Sequence, residues 1–259
     1  MTLLKSMFAA LAMFSKLPVP RVNWDKDAMT WAMCFFPLVG VFIGAALYLW
    51  LELSAFLELA AQLRAAGALV VPIMLSGGIH MDGFCDTADA LASNQDRERK
   101  LEILKDTHAG AFAIIMGALY LVVFYAAWCE LDPVTLGNGT VIALCVTPVL
   151  SRSLSGLAAV TLPNARGTGL LATFTEPMHL GVARLVMLLW LALSAAAIVF
   201  FALPVAAAAI LIGAVAVYIY YVIMSGRKFG GITGDLAGYF LQMCELGMIL
   251  AVALSHNKF

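Results

Sequence analysis

The sequence predicts an all-α fold: a polytopic membrane helical bundle of about seven spans, preceded by an amphipathic helix on the membrane surface. Three observations predict it. The chain is 63% hydrophobic and 12% charged over 259 residues, whereas soluble domains run at about 45–50% apolar and about 25% charged. Its apolar runs approach the length needed to cross a bilayer. Its Lys and Arg residues fall in alternate loops. A net charge of −1 offers nothing to a nucleic acid, so lipid is the expected solvent and small molecules the expected partners. The five cysteines form no C-x-x-C pair and read as small apolar filler.

In chain order, the first 17 residues carry Lys5 and Lys16 on nearly one helical face, with Leu3, Met7, Leu11 and Phe14 opposite. This predicts an interfacial helix closed by Leu17-Pro18-Val19-Pro20. A cleaved signal peptide is the rival reading, disfavoured by Lys16 and the span that follows. Backbone groups in lipid must be paired internally, so the long apolar runs are helices. Spans are expected at 29–51, 55–76, 110–129, 134–157, 182–202, 204–224 and 236–254. The second is weakened by Glu58 and Arg64 in its first half. Asn138-Gly139-Thr140 is a formal glycosylation sequon set tight against a span, and reads as chance.

Basic residues orient the chain. Lys5, Lys16, Arg21 and Lys26 precede the first span, and Arg97, Arg99, Lys100 and Lys105 lie in 77–109. Arg152, Arg166 and Arg184 belong to 152–181 or its edge, and Arg227 and Lys228 to 225–235. The alternate loops hold only Arg64 and Lys258. Seven spans place every basic loop on the cytoplasmic side of the inner membrane. One integral membrane domain, 1–259, is expected, with its site built from the loops 77–109, 152–181 and 225–235.

The loop 77–109 opens Gly77-Gly78-Ile79-His80-Met81-Asp82-Gly83-Phe84-Cys85-Asp86-Thr87-Ala88-Asp89. On a helix, the spacing of Asp82, Asp86 and Asp89 puts three carboxylates on one face. Their mutual repulsion is relieved by a divalent cation, and all-oxygen ligands favour Mg²⁺, Mn²⁺ or Ca²⁺ over zinc. The competing reading, a solvated acidic face, fits poorly with their apolar and glycine neighbours. His80 beside them suits a base, a ligand or a phosphate contact. The run Asp96–Lys105 reads mainly as an amphipathic helix of solvated ion pairs. Lys105, Asp106 and His108 stand where the chain re-enters the membrane, with Lys105 and His108 suited to phosphate and Asp106 to a further carboxylate. Gly230-Gly231-Ile232-Thr233-Gly234-Asp235 places glycines, a Thr and an Asp at a helix start, which suits backbone approaching an anion. Glu245 lies inside the last span and is a candidate by its position alone. Arg152 and Arg166 add positive charge on the same side. Carboxylates for a metal beside cations for phosphate are the requirements of phosphoryl transfer.

These segments resemble the cobalamin synthase family of adenosylcobinamide-GDP ribazoletransferases. The likeness runs through Phe14–Pro20, Phe36-Pro37-Leu38-Val39-Gly40, the stretch Gly77–Leu91, Leu101–Gly110 and Gly230–Gly238. Ala90, His108 and Gln242 depart from the residues usual in the family. The resemblance implies that adenosylcobinamide-GDP is joined to α-ribazole, or its 5′-phosphate, with release of GMP, at the close of cobalamin nucleotide-loop assembly. It implies Mg²⁺ as cofactor, held by Asp82, Asp86 and Asp89, with Asp235 holding a second ion or positioning the nucleophile, and Lys105, Arg152 and Arg166 on phosphates. A second copy of the chain or other corrinoid-pathway enzymes are further expected partners. Two rivals stand beside this reading. A CDP-alcohol-type phosphotransferase orders its aspartates differently, and a transporter places its charges near the bilayer midplane with paired half-repeats.

Overall fold

The computed structural model of the chain describes residues 2–106, 108–175 and 178–256; Thr107 and Lys258 of the readings above lie outside them. Among the described residues there are twelve α-helices and no strand. They are α1 (Thr2–Phe14), α2 (Lys26–Met29), α3 (Phe36–Phe56), α4 (Ala61–Leu75), α5 (Ile79–Ala92) and α6 (Arg97–Ile103). The rest are α7 (Ala111–Cys129), α8 (Pro133–Thr161), α9 (Leu170–Thr175), α10 (Leu180–Phe201), α11 (Pro204–Phe229) and α12 (Gly234–His256). Six helices are long and apolar enough to cross a membrane, or seven if α4 and α5 count together. Leu185, Leu189 and Leu193 of α10, and Ile212, Val215 and Ile219 of α11, present an apolar exterior that suits lipid rather than water.

The bundle is organised around α8, which packs against α3, α10 and α12. Glycines set the closest approaches. A Cβ at Gly40 would lie 2.5 Å from the Pro148 carbonyl oxygen, and one at Gly44 would collide with the Cys145 carbonyl. This spacing of small residues brings α3 onto α8 backbone to backbone. Pro148 cannot donate to Leu144, and the Thr147 hydroxyl donates to that carbonyl instead, at 2.7 Å. The sequon proves structural. A Cβ at Gly139 would strike the Phe201 carbonyl, and the Thr140 hydroxyl accepts the Leu203 N–H at 3.2 Å.

Several expectations shift. The N-terminal helix stops at Phe14 and docks Ala9, Ala10, Leu11 and Phe14 onto the protein, while Leu3 and Leu4 remain exposed. Lys16 is therefore outside it; its N–H donates to the Leu75 carbonyl at 2.7 Å. The first span begins at Ala32 rather than 29: Asp25 caps the short α2, and a 3-10 turn over Ala32–Phe35 leads into α3, where Pro37 suits the first turn. The segments 77–109, 152–181 and 225–235 are largely helical. Helices run past the expected spans: α8 continues to Thr161 and α11 to Phe229. α4 has 15 residues, about 22 Å at 1.5 Å per residue, which is short of a full crossing. Gly77 and Gly78, with φ of 65° and 76°, then turn the chain so that α5 leaves at 94°.

Candidate active site

α5 owes its position to glycines on two helices. A Cβ at Gly83 would come within 2.7 Å of the Asp235 carbonyl oxygen, and one at Gly238 within 3.0 Å of the His80 carbonyl oxygen. α5 thus lies directly on the start of α12. Its Phe84, Thr87 and Ala88 are buried, while Asp82, Asp86 and Asp89 share the other side. Sequence reasoning took Gly83 and Gly238 as motif letters; their work is to bring Asp82 and Asp235 to one place.

The three α5 carboxylates have different surroundings. Asp89 accepts the N–H groups of Gly110 at 2.6 Å and Ala113 at 2.8 Å, so it caps the start of α7. Asp86 is pushed up to about 6 by burial and then by the charges of Asp82, Asp235 and Asp89. That mutual repulsion marks a shared field of negative charge. Among the described residues, no three His, Cys, Asp or Glu side chains are gathered so as to hold a metal ion by themselves.

Asp235 is placed by two loops that hold each other. Ile232 donates to the Pro163 carbonyl and Ala165 to the Ile232 carbonyl, both at 2.9 Å, around a bridge between Asn164 and Ile232. The Asn164 side chain accepts from the N–H groups of Arg166 and Gly167. Arg166 is thereby turned to Asp235, Nη1 to Oδ2 3.1 Å. Thr233 caps α12 through the Leu236 N–H. Gly230 ends α11 at φ 72°, and a Cβ at Gly231 would strike the Pro163 carbonyl. The N–H groups of Gly230, Gly231 and Ile232 are all committed to carbonyls. The backbone that faces the site is that of 233–235.

His80, Asp82, Arg166, Thr233, Gly234 and Asp235 line one cavity. Most of its remaining wall is apolar and was not foreseen, with Phe14, Met33, Phe36, Leu171, Phe174 and Leu241, while Ser155 and Thr168 add two hydroxyls. His80 is buried beside the rings of Phe14 and Phe36, with centroids 6.5 and 6.0 Å away. Burial, then the charge of Arg152, holds its imidazole well below the usual range, so it is neutral. Asp86, Asp89, Asp106 and His108 line an adjoining hollow. There the exposed Asp106 and His108 pair at 2.8 Å; the His108 N–H and ring hold the Asp106 carboxyl below its usual value.

Three candidates stand apart from the cavity. Lys105 is exposed and lines neither hollow. Arg152 and Glu245 pair at 2.8 Å inside the bundle, where Ser151 also donates to Glu245. Lys100, expected in a solvated face, is instead buried. Its ammonium donates to the carbonyls of Ala90 and Ser93 and closes the end of α5.

Comparison with known proteins gives the family. The profile of the cobalamin-5-phosphate synthase family matches residues 6–253. The adenosylcobinamide-GDP ribazoletransferase of Lachnoclostridium phytofermentans is 40% identical, over 98% of this chain and 95% of its own. Those of Clostridium perfringens and Pseudomonas putida are 33% and 34% identical, over 96% and 95% of this chain and 98% and 97% of their own. No solved structure matches. The chain belongs to the cobalamin-5-phosphate synthase family.

Proposed function

We propose that this cavity joins adenosylcobinamide-GDP to α-ribazole, or its 5′-phosphate, and releases GMP. The observation that supports it is the meeting of Asp82, Arg166 and Asp235 in one cavity of a chain from this family. The ribazole 3′-hydroxyl forms a bond to the phosphorus next to cobinamide. The bridging P–O bond breaks, its electron pair leaves with GMP, and the hydroxyl proton is lost. The product is adenosylcobalamin, or its phosphate.

Mg²⁺ fits the donor set. Asp82, Asp86 and Asp235 offer only oxygen and repel one another. Mg²⁺ commonly binds through one or two carboxylates plus substrate phosphates rather than in an all-protein cage, which accords with the lack of a complete cage here. When bound, it would neutralise pyrophosphate charge. Asp82 and Asp86 are the residues that would hold it, with Asp235 as a third. Arg166, already turned inward, adds a guanidinium that suits a phosphate. Asp89 keeps the start of α7 in place. The Lys and Arg residues of its loops support a site at the cytoplasmic face of the inner membrane.

The test is GMP release from purified protein given both substrates. Release that needs both, and that chelation with EDTA stops and Mg²⁺ restores, is expected. CMP release from a CDP-alcohol, or substrate flux without turnover, would overturn the reading.

A further inference from the structure

The cavity has two chemically distinct ends. One carries Asp82, Arg166, Thr233 and Asp235. The other is a sleeve of aromatic rings from three separate elements: Phe14 of α1, Phe36 of α3 and Phe174 of α9. Phe14 lies 4.5 Å from Phe36 and 5.3 Å from Phe174 between centroids, so the rings form one surface. Met33, Leu171 and Leu241 extend it, and Ser155 and Thr168 are the other polar residues on the cavity wall. His80 joins the two ends. It is 5% exposed, and its Nε2 is buried without a hydrogen-bond partner among the described residues. A buried nitrogen left unpaired costs about 1–3 kcal/mol, which a ligand atom would recover.

We infer that this sleeve is the acceptor subsite: it takes the flat base of α-ribazole against the joined ring surface of Phe14, Phe36 and Phe174, with His80 Nε2 donating to the base's free ring nitrogen. The inference rests on the ribazole-transfer reading and adds which part of which substrate lies where. The alternative ring is guanine, and its chemistry does not suit the sleeve. Guanine carries an amide N–H, an amino group and a carbonyl, each of which must be paired if buried. A benzimidazole-type base has apolar edges and one hydrogen-bonding atom, the ring nitrogen not bonded to ribose. Aromatic walls with one unpaired nitrogen match that inventory. The base at this end would leave its ribose directed toward Asp82 and Asp235, where the phosphate chemistry is proposed.

The test uses the full chain in detergent and reads equilibrium binding of α-ribazole by the fluorescence of its dimethylbenzimidazole. His80→Leu should bind it about tenfold more weakly, the loss of one hydrogen bond to a buried partner. His80→Gln, whose amide still donates, should recover most of that loss. The indole counterpart, with C–H in place of the free ring nitrogen, should bind wild type and His80→Leu alike. Phe174→Ala should weaken both acceptors and leave adenosylcobinamide-GDP binding within about twofold. Unchanged ribazole affinity in both His80→Leu and Phe174→Ala, or a loss confined to the GDP-linked substrate, would overturn the assignment. Wild-type protein that releases GMP while failing these tests sinks the subsite alone. Wild-type protein that releases no GMP sinks the transfer reading beneath it.

Discussion

Asp82, Asp86 and Asp89 are alike in sequence and unlike in surroundings. Asp82 lines the cavity, Asp86 is raised by burial and its neighbours, and Asp89 holds the first turn of α7. Asn keeps the shape of Asp but lacks its charge. Asp82→Asn and Asp86→Asn are therefore expected to abolish GMP release without lowering the thermal unfolding temperature. Asp89→Asn keeps only one acceptor oxygen, and should cost about 1 kcal/mol of stability as a weakened cap. Calorimetry in detergent beside the GMP assay separates the two outcomes. Near-normal turnover of Asp82→Asn and Asp86→Asn at saturating Mg²⁺ would remove the metal role. The α5 face and the Thr233–Asp235 turn were legible because each is contiguous in sequence. The apolar sleeve was not, since Phe14, Phe36 and Phe174 look like any membrane phenylalanine until three elements meet.

Between elements, the link hidden from the sequence is Arg152–Glu245. It joins α8 to α12 across 93 residues, a separation no local pattern can bridge. Arg152 reads as a phosphate contact by its charge and side, and Glu245 as a candidate by its place in a span; burial shows them facing each other. Arg152 also donates to the Pro148 carbonyl at 3.0 Å, so the pair ties α12 to the turn of α8 that holds Pro148. Removing one partner leaves an uncompensated buried charge, which costs about 3–5 kcal/mol. Arg152→Met and Glu245→Leu should each be strongly destabilising in detergent unfolding. The double variant should lose much less than their sum. Strictly additive losses would show that the two charges are not coupled. The spans themselves were legible from apolar runs. Their ends were not, because a helix continues past the lipid for as long as caps and packing support it.

Across the whole molecule, the basic segments before α3, from α5 to α7, from α8 to α10 and from α11 to α12 assign one side to the site. In a cysteine-free background, Asn94→Cys, Thr168→Cys and Lys228→Cys should resist a membrane-impermeant maleimide added to intact cells. Gln62→Cys, in the first turn of α4 next to its connection with α3, should be labelled. Labelling at any of the first three positions would overturn the topology. The packing of α5 on α12 through Gly83 and Gly238 also dictates an order of manufacture. The ribosome delivers α5 early, but its partner surface, α12, is made long after it. Until then the nascent protein carries an unmated face at the membrane surface and can assemble no working centre. A ribosome stalled before α12, or a message truncated there, therefore yields a product whose α5 face is uncovered and whose cavity lacks Asp235.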